Sequence, residues 1–252
     1  MATLEAAKPD VIISAAAYTQ VDKAESEPEL AFAINEVGAR AIAKSAKKLR
    51  VPLIHLSTDY VFDGAKASPY TEDDLTGPTG VYGASKLAGE RAVLAEHNNS
   101  AVLRTAWVYS PFGSNFVKTM LRLAGEREEV NVVADQQGNP TSALDIAEGL
   151  LRVATNLLRN DDPAQRGVFH MTGAGDATWA DLAEAIFSYS RYTGGPLACV
   201  KRIQTADFPT AAKRPANSRL LSGKLARLHA VRLPEWRSSL KGVVVRLVET
   251  GA

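Results

Sequence analysis

LIHLSTDYVFDG (residues 53–64) and VYGASKLAGE (residues 81–90) flank an acidic, turn-rich stretch, and the fold is read from this pair. The first segment predicts a strand buried on both faces. Leu53, Ile54 and Leu56 are apolar, and Ser57, Thr58 and Asp59 close it. In an open α/β sheet, ligands gather outside the carboxyl ends of the strands. The second segment predicts a helix. A spacing of four puts Tyr82 and Lys86 on one helical face, with backbones about 6 Å apart. A phenol with a pKa near about 10 is a poor acid or base at neutral pH. An ammonium beside it favours phenolate and moves the group toward the working range. A Thr58 hydroxyl can bond the oxygen on which Tyr82 acts. Thr58, Tyr82 and Lys86 are therefore the candidate proton-transfer set for a carbonyl or an alcohol. The Tyr/Lys spacing alone arises by chance in roughly one chain in three of this size, so the strand ending upstream carries much of the weight.

Outward from this pair the chain alternates strands and helices. Val11 to Ser14 predicts a short parallel strand that opens into AAAYT (residues 15–19), either a small-residue packing turn or a shelf for a flat ligand. Apolar residues at helical spacing (Leu30, Ala33, Ile34, Val37, Ala41, Ile42) predict a helix over about 29–48, with Asn35 as a polar interruption that needs partners once buried. Strands are expected at 101–104 and 168–170, and after Val130. Helices are expected at about 82–97, 115–125, 145–158 and 178–189, with Thr178 as N-cap and a closing helix that packs Trp236 and Leu240 inward. Ile146, Leu150, Leu151, Val153 and Leu157 form the expected apolar side of the helix at 145–158. KRPANSRL (residues 213–220) is a basic loop whose guanidinium groups suit a pyrophosphate or simply face water.

The balance of 46% hydrophobic and 23% charged residues over 252 residues suits a globular protein of one large or two small domains. A net charge of +1 gives no reason to expect nucleic acid or an anionic membrane as partner. The single cysteine, Cys199, excludes an internal disulfide and fits a reducing, cytoplasmic setting. MATLEAAKPD lacks the basic and apolar regions of a signal peptide, and no apolar run reaches the roughly 18 residues that span a bilayer. The histidines at 55, 97, 170 and 229 lack metal-ligand spacing, so no metal is expected.

Taken together, AAAYTQVDKAESEPELAFAIN, LSTDYVFDG, VYGASKLAGE, LRTAWVYS, NFVKTMLRLA, DQQGNPT and RPANSRL cover nearly the whole chain. In these stretches it resembles the extended short-chain dehydrogenase/reductases, and within them the dTDP-4-dehydrorhamnose reductases. The resemblance implies NADPH- or NADH-dependent reduction of the 4-keto group of dTDP-4-dehydro-β-L-rhamnose. Thr58, Tyr82 and Lys86 are then catalytic. Ala17, Tyr18, Thr19 and Leu56, with Tyr82 and Lys86, contact the cofactor. Thr58, Asp59, Trp107, Arg214 and Asn217 contact the nucleotide sugar. It also implies a proton relay supported by Asn35 behind Lys86, and a possible homodimer. A non-catalytic regulatory or scaffold subunit of the same fold, and a nucleotide-sugar epimerase or dehydratase, stay open as alternatives.

The expected architecture is α/β. A Rossmann-type parallel sheet, incomplete at its N-terminal side, occupies residues 1–128 with a returning segment near 140–160. A smaller mixed α/β substrate-binding part occupies 129–252. A dinucleotide-binding sheet starts with a strand, a glycine turn and a helix, roughly the first fifty residues in such reductases. No such unit is read here. GPTGVYG (residues 77–83) has glycine spacing but follows a Pro-containing acidic loop and overlaps Tyr82, so it is rejected as a phosphate loop. The 252-residue chain is accordingly expected to hold NADPH weakly and to leave the strand at Val11–Ser14 short of a neighbour.

Overall fold

The computed structural model describes residues 2–251. In chain order, α1 (Ala2–Ala7) leads into β1 (Ile12–Ser14), then the short helices α2 (Val21–Ala24) and α3 (Pro28–Phe32). A π-helical turn (Ala33–Gly38) joins α3 to α4 (Ala39–Leu49). Next come β2 (Leu53–Thr58), a single tight turn (Asp59–Val61), α5 (Val81–Glu96) and β3 (Ser100–Thr105). β4 (Val108–Tyr109), α6 (Phe116–Glu126), β5 (Glu129–Val133), β6 (Gln137–Gly138) and β7 (Thr141–Ser142) precede α7 (Ala143–Arg159) and β8 (Gly167–His170). The remainder comprises β9 (Ala177–Thr178), α8 (Trp179–Tyr192), β10 (Cys199–Ile203), α9 (Gly223–His229) and α10 (Trp236–Thr250).

The main sheet runs β1-β2-β3-β8, and every pair is parallel. Both faces are covered, which is why its strands read as nearly continuous apolar runs. Leu53 and Val102 pack with Ile12, Ala39, Ala43 and Val93 against α4 and α5. Ile54 and Leu103 pack on the other face with Val153, Leu157 and Phe169, against α7 and α9. β1 pairs only with β2 and forms an edge of the described sheet, with Ile13 exposed. The chain's return to this sheet reaches beyond the expected 140–160, because β8 at residues 167–170 pairs with β3. A second core of α6, α8, α10 and β5 gathers Tyr109, Val117, Leu182, Ile186, Trp236 and Leu240. β10 pairs with β5 there. Among the described residues, no helix is long and apolar enough to cross a membrane.

Two local departures from the sequence pattern have physical causes. The helix expected at 29–48 carries a π turn. Asn35 Oδ1 accepts the Tyr18 N–H at 2.8 Å, and its Nδ2 donates to Tyr18 O and Ser85 Oγ. An extra residue in a turn re-aims a side chain in this way, and the buried amide finds its partners. Leu151 was expected on the buried side of its helix but is 64% exposed; Ile146, Leu150, Val153 and Leu157 suffice to cover the sheet. The expected N-cap of α8 forms as a reciprocal box between Thr178 and Asp181.

Candidate active site

The carboxyl ends of β2 and β3 place most of the predicted residues. Thr58 ends β2, opposite Thr105 of β3. Asp59 and Tyr60 follow in the tight turn, with Asp59 buried. Tyr82 lies in the first turn of α5, edge-on to Tyr60 with ring centroids 5.5 Å apart. The Thr58 side chain is a near neighbour of the Tyr82 hydroxyl and favours its ionised form. Thr58, Tyr82 and Asp59 therefore share one site.

The electrostatics differ from the simple expectation for a Tyr/Lys pair. Burial drives the Tyr82 hydroxyl well above its ordinary range, reinforced by Asp59 and Tyr60 and opposed by Thr58. Lys86 does not pull it down. The ammonium donates to the Leu56 carbonyl, with Nζ 2.7 Å from the oxygen. Helical spacing sets backbones side by side but does not choose where a four-carbon stem points. Burial also pushes Lys86 down to about 8, with Glu90 pulling the other way. Asp59 is pushed up to about 6 by burial, against the nearby Ser218 side chain and the hydrogen bond from Thr58. Its Oδ2 is buried without a partner. His55, on β2 beneath this layer, has Nδ1 3.3 Å from Ser14 Oγ and is pushed down to about 3 by burial, so it is neutral.

The expected cofactor shelf is only partly free. Ala15, Ala16 and Thr19 are exposed and Ala17 half-buried at the carboxyl end of β1, an open ledge of small side chains. Tyr18 is the exception. It is buried, its hydroxyl donates to Glu27 Oε2 at 2.8 Å, and its backbone is tied to Asn35. Its ring is thus spent on structure. The Leu56 side chain packs beneath the sheet, and its carbonyl is taken by Lys86.

Trp107 follows β3 in a left-handed backbone conformation (φ +47°) and stacks on Trp179 with centroids 3.7 Å apart. Its Nε1 donates to Ser218 Oγ at 3.1 Å. Trp179 donates to Gln136 Oε1. A cavity of about 760 Å³ opens beside this stack, lined by Phe116, Met120, Gln136, Trp179, Phe208 and Arg214. Arg214 links cavity and phenol: Nη1 donates to the Tyr60 hydroxyl at 3.3 Å, while Nη2 pairs with Asp22 at 2.7 Å. Asn217 does not face this cavity. Its amide nitrogen donates to Lys66 O and Ser68 O, fastening the acidic loop to the basic one, and its oxygen accepts from Arg219 within the basic loop. Its polar atoms are thus engaged within the fold.

Sequence reading missed Trp179, Gln136 and Ser218, each far in sequence from the core motif. It also missed Glu90 and Arg104, which form a buried two-bond ion pair. Glu90 had a signal, four residues after Lys86 on the same face.

A Rossmann-type sheet with a threonine at one strand end, facing a helix that carries Tyr-x-x-x-Lys, defines the short-chain dehydrogenase/reductase class. The family model described as "RmlD substrate binding domain" matches residues 1–249. The dTDP-4-dehydrorhamnose reductase of Sinorhizobium fredii is 53% identical over 97% of this chain and 83% of its own length. That of Escherichia coli K12 is 44% identical over 99% of this chain and 84% of its own. The crystal structure of the Bacillus anthracis reductase in complex with NADP superposes with a TM-score of 0.90 at 37% identity, covering 97% of this chain and 83% of that one. The chain belongs to the dTDP-4-dehydrorhamnose reductase family.

Proposed function

We propose that this chain reduces the 4-keto group of dTDP-4-dehydro-β-L-rhamnose to dTDP-L-rhamnose with NADPH, in the supply of nucleotide sugar for cell-surface polysaccharide. The observation that carries the reading is the meeting of Thr58, Asp59 and Tyr82 at the carboxyl end of β2, with Lys86 one turn along α5, in a member of this family.

The residues present fit one end of the dinucleotide. The small-residue ledge Ala15–Ala17 and Thr19 can receive a flat nicotinamide, and Lys86 and Tyr82 can bond its ribose. Among the described residues, no strand, glycine turn and helix stand together as a pyrophosphate cradle. NADPH supplies the hydride that adds to C4. Tyr82 then gives its proton to the oxygen at C4 as the carbonyl pair moves onto it. Its high pKa keeps it protonated beforehand. Thr58 sits beside the phenol and gives its own proton to Asp59. Lys86, fixed by the Leu56 carbonyl, would hold the nicotinamide ribose rather than lower the Tyr82 pKa.

The cavity beside Trp179 suits a nucleotide: aromatic walls for the base and Arg214 for phosphate oxygens. Asp59 and Trp107 stand where they can orient the sugar. In this reading the dinucleotide part comprises residues 1–128 with the return into α7 and β8, and the remaining part holds the sugar nucleotide. The setting is cytoplasmic, and a homodimer fits the family. Incubating the chain with the keto sugar and following NADPH absorbance tests the function. Oxidation that depends on the sugar supports it. Conversion of the sugar without NADPH loss would point to an epimerase or dehydratase, and binding without turnover to a scaffold.

A further inference from the structure

Glu90 and Arg104 form a charged pair in the middle of the protein. Arg104 Nε lies 2.9 Å from Glu90 Oε1 and Nη2 2.7 Å from Oε2, with side-chain exposures of 5% and 2%. Such a pair returns little net stability, because desolvating both ions offsets their attraction, and an apolar pair of the same volume often serves a core as well. Its location suggests what the charge does. Glu90 is one helical turn beyond Lys86, on the same buried face of α5. Arg104 lies on β3 in register with Ser57, one residue before the Thr58–Thr105 pair. Its guanidinium rests over the Phe62 ring at 5.1 Å. The carboxylate thus shares a buried helix face with Lys86, one turn away, and is held fixed by a guanidinium.

We propose that Glu90, clamped by Arg104, is a positioning residue that keeps Lys86 charged and directed at the Leu56 carbonyl. The other groups around Lys86 do not supply this. His55 from β2 is neutral, and a charge there would repel the ammonium. Asn35 from the π turn and Ser85 from α5 are neutral and bonded to each other. Asp59 and Tyr60, from the turn after β2, act on Tyr82. Burial works against the ammonium, and Glu90 is the group that opposes it. A carboxylate beside an amine favours its protonated form, so removing Glu90 lowers the pH at which Lys86 loses its proton.

The inference rests on the role proposed above for Lys86, and its test is read without turnover. In protein labelled with ¹³Cε-lysine, the Lys86 resonance is assigned by its loss in Lys86→Met and followed with pH. Its midpoint in the unaltered chain is expected near pH 8. In Glu90→Gln and in Glu90→Leu/Arg104→Met it is expected to fall by about one pH unit. Glu90→Asp, which keeps the charge, is expected to restore much of that fall. The double variant covers the case in which Glu90→Gln, with Arg104 unpaired, fails to fold. In turnover, the alkaline limb of kcat is expected to move the same way with KM unchanged. A folded double variant whose Lys86 titrates as in the unaltered chain would overturn the proposal. A chain that shows the shift but never oxidises NADPH would remove the proposed function and leave Glu90's effect on Lys86 standing.

Discussion

Thr58 gives its only hydroxyl proton to Asp59, with Oγ1 2.9 Å from Oδ1. The same oxygen accepts the Tyr60 N–H at 3.3 Å. The Thr58 proton is thus committed to Asp59, and the phenol of Tyr82 remains as the proton source of the pair. The neighbouring carboxylate fixes which way the threonine points.

That arrangement has a stability consequence at Asp59. Burial holds this carboxyl at about 6 against an ordinary 3.8. As pH rises from about 4 to about 6, the unfolded chain releases a proton that the folded chain keeps, so stability falls through that window and stays lower above it. Asp59→Asn is expected to raise stability by about 2–3 kcal/mol near pH 8, with the gain closing near pH 4. Thermal unfolding at the two pH values checks this. Equal gains at both would mean that ionisation is not the cause.

At the phenol, Tyr82→Phe removes the transferable proton and little else. We expect kcat to fall by about 10²–10⁴-fold while KM moves by less than about threefold. Steady-state NADPH oxidation reads both constants. A rate within tenfold of the unaltered chain would take Tyr82 out of the chemistry.

Gly89 lies in the interior of α5, where alanine ordinarily adds about 1 kcal/mol. Here a Cβ would fall on the Asn35 carbonyl oxygen of the π turn. Gly89→Ala is expected to destabilise by about 1–3 kcal/mol, because helix and turn must part. Urea denaturation gives the sign. A higher midpoint would mean that the contact yields freely.

Gly138 supports the tryptophan stack, since a Cβ there would overlap the Trp107 indole. Gly138→Ala is expected to displace Trp107 from Trp179, flatten the near-UV circular dichroism of the pair, and weaken dTDP binding by about tenfold. Gly125→Ala, which meets no neighbouring atom, serves as the control. An unchanged dichroism in Gly138→Ala would show that the stack accommodates the methyl.

Much of the frame was readable in the chain because its causes are local. Apolar runs such as Leu53–Leu56 mark strands covered on both sides, and the helices at α6, α7, α8 and α10 follow from periodicity and caps. Thr58, Tyr82 and Lys86 are proposed from spacing and strand ends, which are also local. The π turn escaped because its partners, Tyr18 and Ser85, lie 17 and 50 residues from Asn35. The partners of Asn217 escaped for the same reason: carbonyls about 150 residues away claim its amide.

The sequence by itself determined which residues could do proton chemistry, because side-chain chemistry and helical spacing are properties of the chain. Only the tertiary structure decided their states. Burial raised Tyr82 and Asp59 and lowered Lys86. Packing turned the Lys86 ammonium to the Leu56 carbonyl and set Trp179, 72 residues downstream, against Trp107. Desolvation and side-chain direction depend on every neighbour at once, and no stretch of sequence carries that information alone.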